Sequence, residues 1–130
     1  MTSKHWVIVA ASMGFVAVLM GAFASHGLKD QMSDQALAWI EIAAKYQMYH
    51  ALSLLGLACL SLKLGNSTAA RVSGVSFIIG IVCFSGSLYW LAFDGPKILV
   101  YITPIGGVLL AIGWLALFFV AVKIECPSVK

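Results

Sequence analysis

Residues 72–93 read VSGVSFIIGIVCFSGSLYWLAF, an apolar run without a single charge, held between Arg71 and Asp94. A helix needs about 20 such residues to cross a hydrocarbon core of about 30 Å, so this run is long enough to span a bilayer. Three more long apolar runs accompany it: 6–24, 43–62, which carries Lys45 near its start and is closed by Lys63, and 98–122 closed by Lys123. Backbone groups in lipid must be paired within one helix or around a closed barrel. Barrel strands alternate apolar and polar residues, and these runs do not, so each is expected to be a helix. The predicted fold is an all-α membrane protein: a four-transmembrane-helix antiparallel bundle, forming a single domain over residues 1–130.

Composition agrees. Hydrophobic residues make up 62% of the chain and charged ones 10%, against about 25% charged in an ordinary soluble domain. Almost nothing remains outside the lipid, which leaves no stretch for a soluble catalytic domain. The net charge of +3 is spread over the loops and is too sparse for a nucleic-acid partner. Lys4 and His5 ahead of the first run, with Ala22-Phe23-Ala24 at its end, imitate a secretory signal. The apolar region of a signal is usually about 7–15 residues, and this run is longer, so it reads as a retained helix.

Four spans place both termini on one side. Lys4, Lys63, Arg71, Lys123 and Lys130 fall with the termini and the middle loop, while Lys29, Lys45 and Lys97 fall opposite. Cytoplasmic loops carry the excess of Lys and Arg, which predicts both termini in the cytoplasm. Trp6, Trp39, Trp90 and Tyr101 sit near the predicted interfaces, where amphipathic rings are enriched. Trp114 falls mid-span and is expected to pack against another helix.

Gly27 is expected to close the first helix, and Ser33 to cap the second with Asp34 in its favourable first turn. A helix from Asp34 to Leu62 would be about 43 Å long, so its first two turns are expected at the outer surface. Pro104 interrupts the fourth span. It disfavours a helical Thr103 and removes one backbone donor. Two forms are open: a kinked continuous helix, or a helix that starts at Pro104 with residues 97–102 lying against the bundle. Small residues recur at helix-packing spacing, with Gly14 and Gly21 in the first span, Gly80 in the third and Gly107 in the fourth. Close backbone approach drives association in lipid, so these positions read as packing seams.

One polar cluster stands out, formed by Tyr46, Gln47, Tyr49 and His50, near the outer end of the second span. Polar groups inside a span face the bundle and need partners, and Ser85, Ser87 and Thr103 are the candidates from the same half of the membrane. The cluster reads either as an interhelical hydrogen-bonded joint or as a proton relay or small polar binding site, since histidine titrates near neutral pH. His26 ends the first span on the same side. Two histidines alone specify no metal, and no cysteine or carboxylate recurs at ligand spacing, so no metal or cofactor is expected. Cys59 and Cys83 lie within spans as small hydrophobes, and Cys126 falls in a tail expected to be cytoplasmic and reduced. No nucleophile–base pair is visible, and no enzymatic activity is expected.

Taken together, Gly21-Ala22-Phe23 with His26-Gly27-Leu28, Tyr46-Gln47-Met48-Tyr49-His50-Ala51-Leu52, Phe84-Ser85-Gly86-Ser87-Leu88-Tyr89, Thr103-Pro104-Ile105-Gly106-Gly107 and Gly113-Trp114 resemble the domain of unknown function 423 family. Its members are small bacterial inner-membrane proteins, with animal relatives in the transmembrane protein 256 group. The resemblance runs over essentially the whole chain and departs from the usual Gly-Ala before the first histidine, where Ala24-Ser25 stands. It implies four retained spans and a multi-pass place in the bacterial inner membrane. It also draws His26, His50, Ser85, Ser87, Thr103 and Pro104 toward one end of the bundle, and it supplies no catalytic residue. The expected function is therefore association, as a homo-oligomer or an accessory subunit beside other inner-membrane proteins. The alternative is a proton or small-solute transporter built around His50.

Overall fold

A computed structural model describes residues 2–65 and 67–122; Lys123, Cys126 and Lys130 lie outside the described residues. Four α-helices carry the fold: α1 (Ser3–Ala22), α2 (Asp34–Leu64), α3 (Thr68–Ala92) and α4 (Ile102–Ala121). α1 ends in a widened π-helical turn, Phe23–Gly27, in which the Leu28 N–H reaches back to the Phe23 carbonyl. A 3₁₀ turn, Lys97–Tyr101, leads into α4. The caps follow from sequence. The Ser33 hydroxyl accepts from the Ala36 N–H at 3.2 Å and Ser67 from Ala70 at 3.1 Å, each satisfying an orphan donor of a first turn. α2 stops at Gly65, whose φ of 73° suits glycine. Gly27 does not have that conformation; it closes the π-helical turn and Leu28 follows in right-handed geometry.

Consecutive helices pack side by side and run antiparallel, α1 on α2, α2 on α3, and α3 on α4. Two tryptophans bridge the diagonals. Trp6 is fully buried and lays its ring on Gly74 of α3, so it is a core knob rather than an interfacial anchor. Trp114 reaches from α4 to α2. Around Trp6, the main core gathers Leu54, Leu57, Phe77, Ile81 and Leu110. A second cluster at the other end joins Ala24, Ala36, Ile40 and Ala92. The first turns of α2 thus pack between α1 and α3.

Among the described residues, three helical stretches are long and apolar enough to cross a membrane: Ser3–Gly27, Thr68–Ala92 and Lys97–Ala121. α2, at 31 residues, is longer than any of them, but Glu41, Lys45 and the Tyr46–His50 cluster dilute its hydrophobicity. Pro104 neither kinks a long helix nor starts one. It sits in the first turn of α4, where a missing N–H costs no intrahelical bond. The preceding 3₁₀ turn rests on α3 and α4, with Leu99 half-buried and none of its residues fully buried.

Of the predicted seams, Gly80 is closely packed; a Cβ there would stand 2.6 Å from Leu110. Gly14 faces Met48 at 3.9 Å and Gly107 faces Phe84 at 3.9 Å, both ordinary contact, while Gly21 faces open space. The tight approaches that the sequence did not reveal are Gly74 against Trp6, Gly106 against the Phe84 backbone and Gly113 against Phe77. They zip α3 onto α4 and seat the Trp6 ring.

Candidate functional site

The polar residues of α2 fall halfway along the bundle, not near one end. Gln47 is buried and donates to the Met13 carbonyl in the middle of α1 at 2.7 Å. His50 is buried and meets Trp114, in the middle of α4. The height differs from the expected one because α2 is packed into the bundle from Ala36 to Ser61, whose midpoint falls at this cluster.

His50 has both ring nitrogens engaged. Nδ1 lies 2.7 Å from the Tyr46 carbonyl, one turn back on α2. Nε2 lies 3.2 Å from the Trp114 Nε1–H, which can only donate. Nε2 must therefore accept, and the proton sits on Nδ1, donated to Tyr46. The imidazole is held among Phe77, Trp114 and Tyr46, with ring centroids 5.5, 6.2 and 6.2 Å away. A second proton would set an N–H against the indole N–H, so this geometry holds the neutral ring.

Toward the end where α2 begins, Ser85 donates from α3 to the Ala43 carbonyl of α2 at 2.9 Å. The Ser87 and Thr103 hydroxyls meet at 2.7 Å between α3 and α4. Each also faces a carbonyl on its own helix side, Phe84 at 2.9 Å and Leu99 at 3.3 Å. Two hydroxyl protons serve three contacts, so one backbone contact is left without a proton in either orientation. Ser73 adds a joint missed in the sequence, donating to the Gly113 carbonyl at 2.9 Å. The signal that could have found it is a hydroxyl inside an apolar span, which needs a partner from a neighbouring helix.

The remaining candidates stand apart. His26 is exposed in the π-helical turn and does not join His50. No group of His, Cys, Asp or Glu with metal-binding geometry exists among the described residues. Pro104 is exposed. Tyr46 and Tyr49 are exposed on the outside of α2, and the hydrogen bonds at these positions are accepted by their backbone carbonyls, from His50 and Ser53. Beside them a shallow apolar groove of about 420 Å³ runs between α2 and α4, walled by Tyr46, Phe84 and Trp114 and floored by Gly107 and Leu110.

Residues 20–107 match the model of a family described as protein of unknown function (DUF423). The chain belongs to this family. A UPF0382 membrane protein of Haemophilus influenzae is 45% identical over 123 residues, covering 95% of this chain and 97% of its own. A UPF0382 membrane protein of Staphylococcus epidermidis is 44% identical, covering 92% and 97%. The UPF0382 inner membrane protein YgdD of Escherichia coli K12 is 37% identical over 130 residues, covering 100% and 98%. No solved structure matches the chain. Its helices and its relatives together make it a multi-pass inner-membrane protein.

Proposed function

We propose that this family member is a non-catalytic membrane protein that works by association, as a homo-oligomer or as an accessory subunit of an inner-membrane complex. In this reading α2 is the fourth span and both termini face the cytoplasm. One observation carries it. The cluster's buried side chains Gln47, His50 and Ser85 are engaged by neighbouring helices, whereas Glu41, Lys45, Tyr46 and Tyr49 stand exposed on the outside of α2. Charged and phenolic groups have no partner in hydrocarbon, and a protein neighbour supplies one.

A proton or solute path through His50 is the competing reading. With both nitrogens occupied and the adjacent groove on the flank of the bundle, the geometry favours a structural joint. The four-span arrangement is supported by direction. α1 and α3 both run antiparallel to α2 and are therefore parallel to each other, so a chain leaving α1 must cross back before it enters α3.

The test is the native mass of the protein, extracted from membranes at its natural level in a mild detergent, with every co-purifying chain identified. A particle containing more than one chain is expected. A particle of one chain alone overturns the association reading.

A further inference from the structure

The exterior of this bundle is apolar almost everywhere: α1 presents Phe15 and Val18, α3 Val75 and Val82, and α4 Leu115 and Phe118. Glu41 and Lys45, one turn apart on α2, are the exception, and both stand exposed. The contacts between helices give their depth. The three apolar stretches have their middles at Phe15, Gly80 and Leu109. Gln47 meets Met13, two residues before the first middle, so antiparallel packing sets Phe15 level with Lys45. Trp114, five residues past Leu109, meets His50 on a helix parallel to its own, which again gives Lys45. Ser85, five residues past Gly80, meets Ala43, which gives Met48. Lys45 therefore lies within one turn of the bilayer midplane, with Glu41 about 6 Å nearer the end where α2 begins.

This depth removes the usual partners. The edge of the hydrocarbon is about 15 Å from the midplane, farther than the four-carbon stem of a lysine can carry its ammonium. Water and lipid headgroups are out of reach. Pairing of Glu41 with Lys45 along their own helix is weak and leaves both charges facing lipid. A second copy supplies no counter-charge either. The other carboxylates of the chain are Asp30, Asp34, Asp94 and Glu125, in the loops, the first turn of α2 or the tail, so no other face carries one at this level. Two copies paired through α2 about an axis along the membrane normal would set Lys45 level with Lys45 and Glu41 level with Glu41.

We infer that the Glu41–Lys45 edge of α2 docks a transmembrane helix of a different inner-membrane protein, one that carries a carboxylate level with Lys45 and a cation one turn away, level with Glu41; this rests on the association reading and selects its accessory-subunit form. The surface beside the pair fits such an occupant. The apolar groove of about 420 Å³ between α2 and α4 lies at the same depth, and Tyr49, one turn on from Lys45, stands on its wall. A lipid chain fills such a hollow and leaves the charges unpaired. A helix laid along this edge does both, with an apolar side chain in the groove and its own charges on Glu41 and Lys45.

The experiment uses native membranes carrying the chain at its natural level, with photoreactive benzoylphenylalanine in place of Leu52, which is exposed on the same edge. Irradiation is expected to join the chain to one different inner-membrane protein, through a transmembrane helix that carries a carboxylate. The same probe in place of Val82 on α3 should not. Lys45→Glu should lower the yield about tenfold by setting like charges together, and replacing the partner's carboxylate with lysine should restore it. Lys45→Met should also lose the adduct while the chain still inserts and keeps its thermal midpoint in detergent, since hydrocarbon tolerates methionine better than lysine. An adduct of two copies of this chain, an adduct indifferent to both Lys45 variants, or no protein adduct overturns the proposal. If the native particle nonetheless holds more than one chain, the association reading stands through another contact. A lone monomer removes both.

Discussion

His50 is held by two hydrogen bonds that tie α2 to α4 through one ring: Nδ1–H to the Tyr46 carbonyl on its own helix, and Nε2 accepting from Trp114 of α4. Removing the ring by His50→Ala leaves the indole N–H without an acceptor and opens space beside Phe77. We expect a loss of about 1–3 kcal/mol, combining an interhelical bond with a cavity. His50→Gln keeps an acceptor for Trp114 and should recover most of it. Trp114→Phe should cost about as much as the bond alone, and the double variant should show a coupling of roughly 0.6–1.7 kcal/mol. Thermal unfolding in detergent reads all four, and additive losses would show that the bond carries no stability. At this scale the sequence was half legible. That His50 must find a partner inside the bundle follows from its residue type. That the partner is Trp114 depends on which face of α4 turns inward, and no local pattern encodes it. Trp6 failed for the same reason, because an indole near a helix end is equally suited to an interface and to a core.

At the level of elements, the α3–α4 seam is set by rotation as much as by spacing. Gly106 and Gly107 are adjacent, yet a helix turns about 100° between neighbours at 3.6 residues per turn. Gly106 faces the Phe84 backbone, which cannot yield, and Gly107 faces only the edge of the Phe84 ring at 3.9 Å. Gly106→Ala should therefore cost about 1–3 kcal/mol through forced separation of the helices, while Gly107→Ala should stay within about 0.5 kcal/mol. Equal midpoints for the two variants in a detergent melt would mean that α3 and α4 are not packed in this register. The spacing of small residues marks Gly80 on the third span and Gly107 on the fourth alike as packing positions, and only Gly80 lies on the closely packed side. Helix boundaries were far more legible, since Ser33, Ser67 and Gly65 act on their own backbone neighbours. The height of the polar cluster was not, because it depends on how much of α2 the other helices enclose.

For the whole molecule, orientation turns on a few cations. Lys4, Lys63, Arg71, Lys123 and Lys130 oppose Lys29, Lys45 and Lys97 in the sequence. The structure weakens the second group. Lys45 lies eleven residues into α2, so it is part of a helix rather than a loop. Only Lys29 and Lys97 then remain as loop cations on that side, and the rule that cytoplasmic loops are basic acts with more force than the raw count implies. A fluorescent protein fused to the C-terminus should therefore fluoresce, and alkaline phosphatase fused there should be inactive, with the same pair of results at the N-terminus. The two ends separate the alternatives. Reporters on opposite sides would mean that α2 does not cross, which conflicts with its antiparallel packing against both α1 and α3. Both reporters outside would mean the bundle is inverted and the cations do not govern it. Removing Lys123 and Lys130 together leaves three cations against two, so that variant should show mixed orientation where the parent shows one, provided these few charges are what hold the molecule in place.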